Sequence, residues 1–157
     1  MRPIILLSMI RKILALIMLN RLNERFNERL PMSQTAYRRG RSTTENVFTF
    51  KILAEKATIT SNMKVNIMLL DMTKAFDSVN RETLMNDLRT FLEPDELHII
   101  KILLQNMSLA VRCEGRTSDS FNTDTGIPQG DSLSPVLFTL YLANSLKGTP
   151  GNGGPKL

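Results

Sequence analysis

Residues 65–70, Val-Asn-Ile-Met-Leu-Leu, are apolar except at Asn66 and stop at Asp71. Six residues make a short helix but an ordinary strand, and the segments on both sides repeat their apolar residues at helical spacing. The run reads as a buried strand, and with a hairpin further on it gives an α+β chain. Asp71 is then held rigidly at a sheet edge, a placement that suits a hard divalent cation. An Asp after a strand is equally an ordinary turn or cap residue, and position alone does not choose between the two.

Upstream, Ile10, Ile13, Leu14, Ile17, Met18, Leu22, Phe26 and Leu30 recur at steps of three, one and four, a helix stripe ended by Pro31. Arg21, Arg25 and Arg29 share another face beside Glu24 and Glu28. That face reads as solvated and partly salt-bridged, or as a stripe meeting nucleic-acid phosphate. Residues 31–42 read as a loop holding Arg38, Arg39 and Arg41. Thr43 or Thr44 would cap a second helix with Val47, Phe50, Leu53, Ala54 and Ala57 inward, and Ser61, Asn62 and Lys64 mark another loop.

After Asp71, Asn80 would cap a helix with Leu84, Leu88, Phe91 and Leu92 inward, closed by Pro94. Asp95 opens the next, through Leu97, Ile100, Leu103 and Leu104, with His98 a structural residue in that stretch. Residues 109–113 and 120–125 flank the turn Glu114-Gly115-Arg116 as a hairpin. Ser134, with Pro135 in the first turn, starts a last helix that Gly148 stops. Residues 148–157 hold four of the eight glycines and read as a flexible tail.

Charge divides along the same line. Residues 1–64 carry twelve basic and four acidic side chains, and residues 65–157 carry eight and eleven. The split suggests a polyanion-facing part joined to a part with another task. A single cysteine, Cys113, excludes a disulfide framework or a Cys-rich zinc site. The apolar N-terminal stretch is interrupted by Arg11 and Lys12, short of the ~20 residues that span a bilayer. No small-residue cleavage site follows it, so the expectation is an intracellular protein, nuclear or cytoplasmic, with neither secretion nor a membrane partner.

The stretch Asp71-Met72-Thr73-Lys74-Ala75-Phe76-Asp77-Ser78-Val79 resembles the first catalytic palm motif of reverse transcriptases, most closely those of non-long-terminal-repeat retrotransposons. Gly126-Ile127-Pro128-Gln129-Gly130-Asp131-Ser132-Leu133-Ser134-Pro135 is similar to their second palm motif. Arg2-Pro3-Ile4-Ile5-Leu6-Leu7 with Lys12 resembles a fingers motif, and residues 34–43 the segment beside it. In that segment Ala36 stands where glycine is usual and Tyr37 takes the aromatic place, so a stiffer loop is expected.

The resemblance implies the fingers and partial palm of a right-hand polymerase with an incomplete sheet: a fingers-like basic segment over 1–64, palm over 65–147, and the tail. It implies RNA-directed DNA polymerisation by two-metal nucleotidyl transfer, with RNA template, DNA primer and deoxynucleoside triphosphates as partners. Asp71 and the Met72 backbone carbonyl would hold Mg²⁺ or Mn²⁺. Phe76 occupies the family's steric-gate position against a ribose 2′-hydroxyl. Gln129 and Gly130 would lie beside the incoming nucleotide, and Arg38, Arg39 and Arg41 would meet template or primer phosphate. Asp131 more simply fixes its loop.

The family's third palm motif, aromatic-x-Asp-Asp, has no counterpart: these 157 residues contain no Asp-Asp pair. Two expectations follow. The chain is a truncated polymerase fragment, inactive alone, or else a non-catalytic nucleic-acid-binding remnant. In both, the strand before Asp71 lacks its usual central neighbour and exposes unpaired backbone.

Overall fold

The computed structural model describes residues 5–60, 65–105 and 107–146. The readings at Arg2, Pro3, Ile4, Ser61, Asn62, Lys64, Gly148 and the tail lie outside them.

Helix α1 (Met9–Arg29) starts behind Ser8, whose Oγ accepts the Arg11 N–H, and ends short of Pro31. It buries Ala15, Met18, Leu22 and Phe26, while Ile10, Ile13 and Ile17 from the expected stripe stand exposed. The reason is geometric. At 3.6 residues per turn those three isoleucines fall on the opposite side from the Ala15–Phe26 line.

Helix α2 (Thr43–Ile59) is capped by Ser42, not Thr43 or Thr44, in a capping box that Glu45 completes. It buries no residue: Val47 and Phe50, expected inward, stay exposed, and Leu53, Ala54 and Ala57 are half-buried. Its apolar side chains encircle the helix instead of forming one stripe, and no described helix or strand packs on it.

Helix α3 (Arg81–Arg89) begins at Asn80, whose Oδ1 accepts the Thr83 N–H at 2.9 Å. Helix α4 (Pro94–Leu104) follows. Pro94 opens α4 instead of closing α3, occupying the first turn where its missing N–H costs nothing. With α5 (Ser134–Leu146), these helices and α1 enclose the core: α1 and α3 each pack against α4 and α5. Leu22, Phe26, Leu84, Leu88, Ile100, Leu104, Leu133 and Leu137 are fully buried there, each contributing about 1.5–3 kcal/mol.

The strands form one hairpin of two short antiparallel ladders. β1 (Ser108–Leu109) pairs with β4 (Phe121–Asn122), and β2 (Arg112–Cys113) with β3 (Arg116–Thr117). Glu114 and Gly115 turn it with φ of 49° and 77°, the two positive values of a type I′ turn. Helices with small sheets make the α+β chain the sequence anticipates.

Residues 65–70 are not a buried strand. They carry no strand pairing, and Leu69 is 92% exposed. A strand needs a neighbour for its N–H and C=O groups, and the described ladders are closed among themselves within residues 108–122.

Candidate functional site

The site forms where the turn after Asp71 meets the loop before α5. Residues 73–78 fold into a tight turn in which Lys74 takes φ 52° and its carbonyl accepts the Ser78 N–H at 3.0 Å. The turn presents Phe76, half-buried and stacked on Phe138 of α5 with centroids 4.9 Å apart. Two backbone bonds tie the loop to this turn: Gly126 N–H donates to the Val79 carbonyl at 2.8 Å, and Ile127 N–H to the Phe76 carbonyl at 2.9 Å.

Beyond that junction Ile127 and Pro128 are buried, and the Gln129 carbonyl accepts the Ile5 N–H at 3.1 Å. Gly130 has φ 139°, and a Cβ there would meet the Ile5 carbonyl oxygen at 2.6 Å, so only glycine fits. Asp131 then does what its loop-fixing reading requires: Oδ1 accepts the N–H groups of Leu133 at 3.0 Å and Ser134 at 2.7 Å. The carboxylate, not Ser134, therefore caps α5, as suits the positive end of a helix. Ser134 lies inside the first turn with its Oγ buried and without a hydrogen-bond partner among the described residues.

The result is a cavity of about 250 Å³ lined by Tyr37, Phe76, Gln129, Gly130, Asp131 and Ser134, with Pro128 and Pro135. It joins three of the residues singled out from sequence, Phe76, Gln129 and Gly130, and adds Tyr37. Tyr37 takes φ 56° and Gly40 φ 73°, so the left-handed positions of this loop are these two and not Ala36. Asp71 and Met72 are exposed on the approach to the turn and do not line the cavity. No group of three or more His, Cys, Asp or Glu that could hold a metal ion occurs among the described residues.

The arginines divide by task. Arg38 donates to the carbonyls of Pro31 at 3.1 Å and Asn27 at 3.0 Å, neutralising the end of α1. Arg41 donates to the Met32 carbonyl and pairs with Glu45 at 2.9 Å. Arg39 is exposed and carries no such bond among the described residues. Arg21 and Arg25 form the solvated, partly salt-bridged face that their spacing allows, with the partner on another helix and not at Glu24 or Glu28. They pair with Glu96 of α4 at 3.0 and 2.6 Å, and Arg29 lies 4.9 Å over the Phe91 ring. Burial pushes the Glu96 carboxyl pKa up, but the Glu93 N–H and the two arginines outweigh it and hold it below the ordinary value. His98, read as structural, is exposed.

Arg81 escapes the sequence reading. Only 7% exposed, it donates from Nε to the Gly126 carbonyl at 2.6 Å and from Nη2 to Thr123 Oγ1 and the Thr125 carbonyl, each at 2.9 Å. Nη1 reaches the Thr123 carbonyl. It thus clamps the segment that leads into the Gln129 loop. Burial pushes its pKa down, opposed by Asp124. The available signal was a cation directly after the N-cap Asn80, where the helix dipole disfavours one unless it binds something else.

A family model described as reverse transcriptase (RNA-dependent DNA polymerase) matches residues 1–152. The chain is 31% identical over 145 residues to a probable RNA-directed DNA polymerase from transposon BS of Drosophila melanogaster, covering 91% of this chain and 16% of that protein. It is 27% identical over 145 residues to the RNA-directed DNA polymerase from mobile element jockey of Drosophila funebris, with the same coverage of 91% and 16%. A match of 89 residues at 30% identity joins it to the retrovirus-related Pol polyprotein from type-2 retrotransposable element R2DM of Drosophila melanogaster, covering 56% and 8%. The chain therefore spans about 16% of the length of the first two relatives. No helix among the described residues is long and apolar enough to cross a membrane.

Proposed function

The chain belongs to the reverse transcriptase (RNA-dependent DNA polymerase) family, and on that premise we propose that it is the fingers-and-palm portion of a retrotransposon RNA-directed DNA polymerase acting inside the cell. Residues 1–64 are its fingers-like part and residues 65–147 its partial palm. The observation that supports this best is the closure of the two motifs on each other, through Gly126 to Val79 and Ile127 to Phe76, around a cavity lined by Phe76, Gln129 and Gly130.

In this reading the cavity takes an incoming deoxynucleoside triphosphate. The Phe76 ring, braced by Phe138, leaves no room for a ribose 2′-hydroxyl, and the Gln129 amide both donates and accepts hydrogen bonds beside the base. Arg39, without a side-chain bond among the described residues, would meet template or primer phosphate, while Arg38 and Arg41 hold the loop's shape.

Asp71 with the Met72 carbonyl is the side for Mg²⁺ or Mn²⁺, whose part would be to lower the charge barrier of phosphoryl transfer. One exposed carboxylate does not meet the demand of two hard cations, each wanting about six oxygen ligands. The 157-residue chain is therefore inactive by itself. Mg²⁺-dependent primer extension by the purified chain, abolished in Asp71→Ala, would overturn that statement.

Calorimetric titration with dATP and ATP tests the nucleotide reading. The deoxynucleotide binds more tightly, and Phe76→Ala brings the two within about twofold, the rejection of one hydroxyl being a steric effect of one ring. Equal binding by the unaltered chain, or a difference untouched by Phe76→Ala, contradicts it.

A further inference from the structure

A second polar region shares no residue with the Phe76–Gln129 cavity. Between α3, α4 and β4 lies a cavity of about 590 Å³ lined by Arg81, Arg89, Lys101, Asn122, Thr123 and Asp124, among others. Beside it, between α1 and α4, a cavity of about 450 Å³ is lined by Arg11, His98, Lys101 and Ile102. Lys101 and Gln105 border both, so the two adjoin along the last turns of α4.

The charges here are out of balance. Arg11, Arg81, Arg89 and Lys101 form no ion pair among the described residues, and the carboxylates lining the same region are Glu82 and Asp124. Arg11 donates from Nη2 to the Leu103 carbonyl and keeps a buried, unpartnered Nε, and Arg89 donates to Asn86 Oδ1 at 2.6 Å. The hydrogen bonds of Arg11 and Arg89 thus go to neutral acceptors, and the opposing charges are Asp131, which acts on Arg11 against its burial, and Asp124, which acts on Arg81. Burial pushes the Arg81 pKa down, Asp124 opposes this, and the charge of Arg11 lowers it further, as neighbouring cations would. Three of these four cations come from residues 65–157, where acidic side chains outnumber basic ones eleven to eight.

We propose that this groove along α4 binds the phosphodiester backbone of a nucleic acid, as a contact separate from the polymerase cavity. The lining favours that partner over an acidic protein. Its apolar members are Met85 and Ile102, whereas a protein interface is anchored by a buried apolar or aromatic cluster. Cations interspersed with the hydroxyl of Thr123 and the amides of Asn122 and Gln105 are the groups that contact phosphate and sugar. The identity of the polyanion rests on the family reading; the charge surplus does not.

Fluorescence anisotropy of the 157-residue chain with a labelled single-stranded RNA, measured across salt concentrations, tests it. Arg89→Gln with Lys101→Gln removes two exposed cations and leaves the helical circular dichroism unchanged; Arg39→Gln serves as the comparison in the fingers-like loop. The double variant should lower the slope of log K against log salt by about 1.4, so that it loses roughly sevenfold less affinity than the unaltered chain between about 50 and about 200 mM salt. An unchanged slope in the double variant overturns the groove, and if Arg39→Gln does lower it, the polymerase reading survives that failure. Displacement of the RNA by polyglutamate as readily as by unlabelled RNA also overturns it, in favour of an acidic protein partner.

Discussion

Gly126 lies directly against the backbone of Asp77: a Cβ built on it would come within 2.9 Å of both the Cα and the carbonyl oxygen of Asp77. The obstacle is backbone on both sides, because Gly126 N–H is held to Val79 and Ile127 N–H to Phe76. Gly126 also has φ 79°, which an L side chain adopts at a cost. Gly126→Ala should therefore destabilise the chain by about 2–4 kcal/mol, strain and overpacking together, in urea unfolding. A loss below about 1 kcal/mol would mean that the two motifs are not packed this tightly.

Glu96 is 2% exposed and answers to Arg21 and Arg25, both of which reach solvent. The asymmetry predicts unequal variants. Glu96→Ala leaves two arginines that water can rehydrate and costs about 1–3 kcal/mol, whereas Arg21→Ala with Arg25→Ala strands a buried carboxylate and costs about 3–5 kcal/mol. The carboxyl's folded pKa lies below its unfolded value, so its contribution is present above the unfolded pKa of about 4.5 and is lost as pH falls through the folded one. Melting temperature should drop on acidification below about pH 4.5, and the drop should be shallower in Glu96→Gln.

Phe26, near the end of α1, and Phe50, midway along α2, have opposite surroundings. Phe26 is buried and meets the Phe91 ring edge-on at 6.1 Å, whereas Phe50 is half exposed on a helix that no described element covers. Phe26→Ala should cost about 3–5 kcal/mol and Phe50→Ala less than about 1, read from denaturant midpoints. Similar losses at both would show that α2 packs in solution.

The sequence was most legible where local chemistry decides. Asn80 capping α3, the start of α4 beside Asp95, and the Glu114-Gly115 hairpin turn depend on a few neighbouring residues, and each occurs within a residue or two of its expected place. Legibility failed where a partner decides. The apolar run before Asp71 has strand composition and no described strand beside it. Helix α2 has core composition and no described helix or strand packed on it. The periodic arginines of α1 do form a solvated, salt-bridged face, but their partner, Glu96 of α4, lies 71 and 75 residues away and is not legible from the spacing. At the candidate site, the motifs identified Phe76, Gln129 and Gly130, which the fold assembles, and Asp71, which it leaves exposed and apart from their cavity. Arg81 and Tyr37 needed the tertiary structure, since one acts on carbonyls more than 40 residues away and the other arrives from a different loop.

The nucleotide reading proposed above requires the first and second motifs to form one pocket. Amide chemical-shift mapping of the isotopically labelled chain with dATP tests it most directly. The amides of Phe76, Ile127, Gln129 and Gly130 should shift together, along one saturation curve, with Tyr37 among them. Shifts confined to the groove residues Arg89, Lys101 and Gln105, or none at Phe76 and Gln129, would contradict it.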